Sequence, residues 1–291
     1  MATLNGQKTA NIMDIPLSVS SVVAPYLGDN GYKFEGFGTI RVLSIANGTL
    51  SNYDETSATA PFGAPTLVVP NEQTLTLAYN KSMLLRVQEA QMQDIPVSQF
   101  SKQVALQQAD EVFVPAHDAY SIGKVYAARP VGNRVYIQLV SGTPSTLENS
   151  KIKLKFSQML DKVRTGGGNV ANVVCWVAYD FSSQLSDAVN FTGSDAGYAD
   201  AKNGWLGKFK GAKIIEAPDA YLGAGVYAIA VDKRAVVNVT PKMDPKKGGM
   251  KVIEDVPQFS GIEIQLRDRS DTFVLNQKAR VVASLEEDPA A

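Results

Sequence analysis

The stretch VSQFSKQVALQQADEVFVPAHDAYSIGKVY, Val97 to Tyr126, decides how the rest of the chain is read. Val97, Phe100, Val104, Ala105, Ala109, Val112 and Phe113 recur at three- and four-residue steps, the period of a helix with one buried face. Ser98, Lys102, Gln103, Gln107 and Asp110 fall on the other face. Pro96 suits a first helical position, with Asp94 as a cap candidate ahead of it. Pro115 is expected to end or kink the helix, because its ring removes an N–H and crowds the preceding turn. The same stretch holds His117, the only histidine of the chain, next to Asp118.

His117 and Asp118 do not read as catalytic. Neighbours on a helix point about 100° apart, so they cannot pair as a base and its orienting carboxylate. No G-x-S-x-G elbow is present, and Cys175, the sole cysteine, sits in the apolar run VANVVCWVAYDF as a small buried thiol. His117 is therefore read as a surface or capping residue beside a kinked helix. One histidine and one cysteine leave too few ligands for structural zinc. TGGGN (Thr165–Asn169) lies in the order helix, glycines, strand, the reverse of a phosphate loop, and reads as a turn. In RDRSDTF, Asp268 and Asp271 lie three apart, between two strand patterns, and read as turn residues rather than a cation site. No catalytic, cofactor-binding or metal-binding set survives.

The chain of 291 residues suits two ordinary domains or one large one with excursions. With 45% hydrophobic and 20% charged residues the composition is globular, and the net charge of −1 argues against a dedicated nucleic-acid or membrane-surface binder. No secretory signal opens the sequence and no apolar run approaches a membrane span, which places the expected folding site in a reducing cytoplasm. Pro16, Pro25 and Gly28 break the first thirty or so residues into an extended arm. QTLTLAYNKSMLLRVQEAQ reads as a hairpin, with Leu75, Leu77 and Tyr79 alternating, Asn80–Ser82 as the turn and Met83–Val87 returning. Ahead of it, NGTLSNYDETSATAPFGAPTLVVPNE is too long and too polar for an ordinary connection, and reads as a projecting loop. Beyond the helix come the strand RVYIQLVS, an amphipathic helix with Ile152, Phe156, Met159, Leu160 and Val163 inward, and further alternating strands and helices. That order indicates an α/β or α+β body.

The order of parts resembles the major capsid proteins of tailed bacteriophages, the shell fold named after phage Hong Kong 97. GTIRVLSIANGTLSNYDE is similar to the family's first E-loop strand with its tip at Asn52-Tyr53-Asp54, and TLTLAYNKSMLLRVQEAQMQD to the returning strand. The stretch from Val97 to Tyr126 resembles the spine helix. GKFKGAKIIEAPD and GVYAIAVDKRAVV are similar to late A-domain strands, and GIEIQLRDRSDTFVLNQKARVV to the closing P-domain strands. The segment MQDIPVS departs from the family's usual acidic approach to that helix.

The resemblance implies an α+β fold divided into an N-terminal arm (1–31), an E-loop region with flanking strands (32–93), a P-domain spine helix (94–125), a mixed α/β A domain (126–236) and returning P-domain strands with a tail (237–291). It implies a non-enzymatic subunit without cofactor, forming hexamers and pentamers around packaged double-stranded DNA read without sequence specificity. A separate scaffolding protein and a portal are implied partners, with no membrane involved. The implied location is the virion capsid, assembled in the host bacterial cytoplasm. Inter-subunit contacts are expected at Asn47, Asn52, Tyr53, Asp54, Phe62 and Glu72. The founding member's lysine–asparagine cross-link is not carried over, since Lys81 and Asn276 match only in residue type. An encapsulin-type compartment shares the expected fold. A soluble α/β enzyme, in which His117 or Asp268 and Asp271 would matter, is the alternative of another class.

Overall fold

The computed structural model describes residues 21–32, 38–45, 50–56, 59, 61–63, 70–89, 96–138, 146–188, 205–239, 249–254, 256–257 and 259–289. The largest unit is a six-stranded sheet in the order β4-β12-β8-β5-β7-β6. Its members are β4 (Arg134–Ile137), β5 (Val173–Ala178), β6 (Trp205–Phe209), β7 (Ala212–Ala217), β8 (Val226–Asp232) and β12 (Val282–Glu287). β4 runs parallel to β12 and β5 parallel to β7, while β8 is antiparallel to both β12 and β5. Every residue of β5 is buried, so both faces of the sheet are covered.

Five helices are named here: α1 (Val97–Gln108), α2 (Val114–Ala127), α3 (Thr146–Thr165), α4 (Tyr179–Ala188) and α5 (Asp219–Leu222). The spacing of Ile152, Phe156, Met159, Leu160 and Val163 buries all five against the sheet core. Full burial of such a side chain is worth roughly 1.5–3 kcal/mol, more than helix propensity supplies per residue, so packing holds α3 in place. Cys175 is fully buried, as its surroundings indicate, and burial pushes its thiol pKa up.

A second sheet joins β3 (Tyr79–Gln88), β10 (Met250–Ile253) and β11 (Gly261–Val274), with β9 (Val236–Val239) pairing the end of β11. α1 lays Ala105 and Phe113, the latter just beyond its end, onto Ile262, Ile264 and Leu266 of β11. A separate two-stranded ladder, β1 (Thr39–Ile45) with β2 (Pro70–Thr76), is tied to the body at one end through Val42 and Leu75, which pack with Val237 and Leu275.

Several readings need correction. Pro115 does not end the helix. Residues Ala109–Phe113 form a π-helical turn in which Val114 N–H bonds Ala109 O, and Pro115 opens α2, where no amide donor is required. Asn80–Ser82 is not a turn but the interior of β3, matched against Arg267–Asp268–Arg269 across the ladder. The break lies instead at Leu77 and Ala78, between β2 and β3. A polar triplet mimics a turn when its partner strand is equally polar. For the same reason Asp268 and Asp271 are not turn residues: β11 runs unbroken through them and buries both.

The arm expectation also changes. Residues 1–20 lie outside the described residues, but Val22, Val23 and Leu27 are buried in the main core, so the segment from residue 21 docks on its own body. Val112, expected inward, is exposed, because the π turn shifts the helical phase beneath it. β12, from the 237–291 segment, completes the six-stranded sheet.

The TGGG turn has a steric cause. A Cβ on Gly166 would stand 2.2 Å from the Arg280 carbonyl oxygen, a backbone collision that no rotamer relieves. Gly166→Ala is expected to lower unfolding free energy by about 1–3 kcal/mol. Gly123→Ala, on α2 with nothing within 4 Å of its Cβ position, is expected to stabilise by up to about 1 kcal/mol. Paired urea melts check both signs.

Candidate functional site

The β1–β2 ladder carries the residues expected to meet other subunits. Asn47 lies outside the described residues. Asn52, Tyr53, Asp54 and Phe62 are exposed, Phe62 at 79%. The Tyr53 and Phe62 rings meet edge to face with centroids 5.1 Å apart, and Asp54 N–H donates to Pro61 O at 3.0 Å. Asp54 Oδ1 also accepts from the Thr56 amide and hydroxyl, closing a local turn. Glu72 stands opposite Leu43 on β2 and pairs with Arg41 at 3.2 Å. Of these residues Glu72 lies on β2, and Asn52, Tyr53, Asp54 and Phe62 lie in the segment between β1 and β2.

Leu43 and Ile45 were missed as surface residues, although both are more than 60% exposed. The signal was present: TIRVLSI has apolar residues at both even and odd positions, so one of its two faces presents them whichever way the strand lies. Leu50 is fully exposed as well. Tyr53 and Phe62 are exposed too, so these five apolar side chains of β1 and the segment after it are open to solvent in the single chain.

Behind the ladder lies a buried polar joint. His117 is 1% exposed and Asp118 2%, which corrects the reading of His117 as a surface or capping residue. The aspartate accepts two hydrogen bonds from the N-terminal segment, from the Ser21 hydroxyl and the Val22 amide, both at 2.7 Å. Val22 O in turn accepts from Trp176 Nε1 at 2.9 Å. On the next turn of α2, Tyr120 donates to Asp271 Oδ1 at 2.9 Å, while Ala78 N–H donates to Asp271 Oδ2 at 2.8 Å. Ser121 Oγ and Thr272 Oγ1 are 2.7 Å apart, and Thr272 donates on to Asn238 Oδ1. The Tyr79 ring packs between Tyr120 and His117.

The structure therefore brings His117, Tyr120 and Asp271 together, with Asp268 acting electrostatically on Tyr79. The group is sealed: its carboxylates and imidazole are almost wholly inaccessible. Hydrogen bonds tie it across α2, β9, β11 and the β2–β3 break, while His117 Nε2, Asn238 Nδ2 and Asp268 Oδ1 are buried without a hydrogen-bond partner among the described residues. Among the described residues no three His, Cys, Asp or Glu side chains converge as metal ligands, and no helix is long and apolar enough to cross a membrane.

Burial dominates the ionisation of this joint. It holds the His117 imidazole down at about 4, against the opposing influence of Asp271 and the Val239 backbone. It lifts the Asp118 carboxyl to about 6, against the hydrogen bonds from Ser21, Val22 and Val23. Burial raises Asp268 as well, opposed by the Ser270 hydroxyl. The signs at His117 and Asp118 are opposite. As pH falls from about 6.5 towards 4, unfolded His117 binds its proton first and stability is lost. As pH falls from about 6 towards 3.8, folded Asp118 binds first and stability is gained. Relative to the parent chain, His117→Phe is expected to gain on the order of 1–2 kcal/mol on going from pH 7 to pH 5, and Asp118→Asn to lose a similar amount. Chemical denaturation at the two pH values checks the pair.

No family model matches the sequence, and no curated protein matches it. Solved structures do match over the whole chain. One from Mycobacterium phage Bobi has 18% identity and a TM-score of 0.64, covering 99% of this chain and 97% of that one. The capsid structure of cyanophage P-SCSP1u has 12% identity and a TM-score of 0.65, covering 98% and 93%. The asymmetric unit of the bacteriophage PhiM1 mature capsid has 12% identity and a TM-score of 0.58, covering 99% and 92%. Ladder, long helix, strand-rich middle sheet and six-stranded α/β unit together make this chain an example of the mixed helix-and-sheet fold seen in tailed-phage capsid structures.

Proposed function

We propose that this chain is the major capsid protein of a tailed bacteriophage, assembling as hexamers and pentamers into an icosahedral shell around double-stranded DNA. The observation that carries the reading is the set of exposed apolar side chains on β1 and the segment between β1 and β2, on a chain of this fold. Leu43, Ile45, Leu50, Tyr53 and Phe62 face solvent in the single chain, and a surface of that kind is stable in a soluble protein when a partner covers it. On this reading residues 32–93 are the E-loop region, and Asn47, Asn52, Tyr53, Asp54, Phe62 and Glu72 meet a neighbouring subunit. Residues 94–125 supply the spine, 126–236 most of the A domain, and 237–291 the returning strands together with the strand that closes the A sheet.

A near-neutral net charge of −1 suits a wall around packed DNA, since strong positive charge would hold the genome and strong negative charge would oppose closure. The polar joint at His117 and Asp271 has a structural role and no catalytic one. A separate scaffolding protein and a portal complete the assembly, which takes place in the host bacterial cytoplasm and ends in the virion capsid.

Negative-stain microscopy of the expressed chain, alone and with a candidate scaffold, is expected to show closed polyhedral particles. Tyr53→Ala with Phe62→Ala is expected to reduce the particle yield about tenfold or more while leaving the melting of the subunit within a degree or two, because both rings are largely exposed in the single chain. A chain that stays monomeric under all these conditions would overturn the reading.

A further inference from the structure

The six-stranded sheet has two ends of opposite charge. Because β4, β12, β5 and β7 run in one direction, their first residues share an end. Arg134 opens β4, Lys278 and Arg280 lead into β12, and Lys233 and Arg234 follow β8 at the same end. The last turn of α3 adds Lys162 and Arg164 there, since Gly166 abuts the Arg280 backbone. Two carboxylates at this end are already engaged, Asp232 by Arg234 at 2.6 Å and Asp161 by Arg164 at 3.5 Å. The basic surface continues along the open edge of β4 as a groove of about 490 Å³ lined by Arg134, Tyr136, Lys155 and Lys162 among others.

At the other end, Glu287 closes β12, Asp180 follows β5, and Glu216 and Asp219 lie at the end of β7. The Asp180 amide donates to Asp219 Oδ1 at 3.3 Å, so two of these groups are adjacent. Each end also presents an apolar residue amid its charges. Val131, at the basic end, is 76% exposed; Tyr179, at the acidic end, is 49% exposed, and burial, then Glu216 and Asp219, raises its hydroxyl pKa. Tyr179 stands close to Glu216 and Asp219, and the two ends of the sheet carry charge of opposite sign, the complementarity that steers association.

We propose that these surfaces join copies of this chain head to tail, the basic end of one subunit taking the acidic end of the next. The occupant is a second copy because the chain itself carries the complementary charge and anchor. Different surfaces on the two partners make the contact heterologous, the type that closes into rings. The inference rests on the shell reading and adds to it a second contact, separate from the β1–β2 ladder.

The test uses Lys162→Glu with Arg280→Glu at one end and Asp180→Lys with Asp219→Lys at the other, all exposed positions. Each pair alone is expected to lower the assembled fraction, read by analytical sedimentation, about tenfold. All four changes in one chain, which swap the signs of both ends, are expected to restore assembly to within about threefold of the parent. Unfolding curves of the unassembled subunits identify any pair that fails to fold, for which Lys233→Glu and Glu287→Lys serve as substitutes. Assembly indifferent to both pairs would overturn the proposal while leaving the shell reading intact. So would normal particles from the first pair with reduced DNA retention, the result if the basic end meets phosphate instead. A parent chain that forms no particle would sink the shell reading itself.

Discussion

The Asp271 carboxylate accepts from the Tyr120 hydroxyl, the Thr272 amide and the Ala78 amide, and water scarcely reaches it. These donors come from the long helix, the long strand and the break between β2 and β3. A carboxyl group held this far from water is tolerable only with donors on its oxygens, so the three segments must arrive in one arrangement or leave buried polar atoms unpaired. The β1–β2 ladder leaves the body at this point. Its direction is therefore fixed by a small polar contact, with the apolar contacts of Val42 and Leu75 backing it.

The long helix serves two surfaces because it changes phase between them. α1 packs Ala105 on the β3–β11 sheet, whereas α2 turns His117, Asp118, Ser121 and Ile122 inward. The π turn at Ala109–Phe113 makes the change, and Pro115 sits where the interrupted ladder has no amide to lose. The same helix thereby holds the N-terminal segment through Asp118 and the ladder root through Tyr120.

Where packing follows a single period, the sequence is readable. Val97 to Phe113 is legible as an amphipathic helix, its continuation past Pro115 is carried only by the resemblance, and the five inward residues of α3 all follow from their spacing. The failures have a common cause. Asn80–Ser82, His117 and the Asp268–Asp271 stretch are polar residues in regular structure, and local chemistry assigns such residues to turns and surfaces. Their partners lie far along the chain: Asp118 meets Ser21, Tyr120 meets Asp271, and β3 meets β11. Periodicity within a window carries no record of pairings at that distance. The outward Leu43 and Ile45 of β1 went unread because their strand carries apolar residues on both faces, and alternation alone does not say which face is covered.

The placement of β12 bears on how a newly made chain matures on the ribosome. That strand lies between β4 and β8, and among the described residues β4 has no other neighbour in the sheet. Until residues 282–287 have emerged, β4 lacks this partner and the flank of β8 that β12 covers stays open. Translation thus delays the final closure of this core until after the helix and every other strand have been made. A prematurely terminated product would bare two unsatisfied strand edges, the kind of lesion that quality-control chaperones and proteases detect.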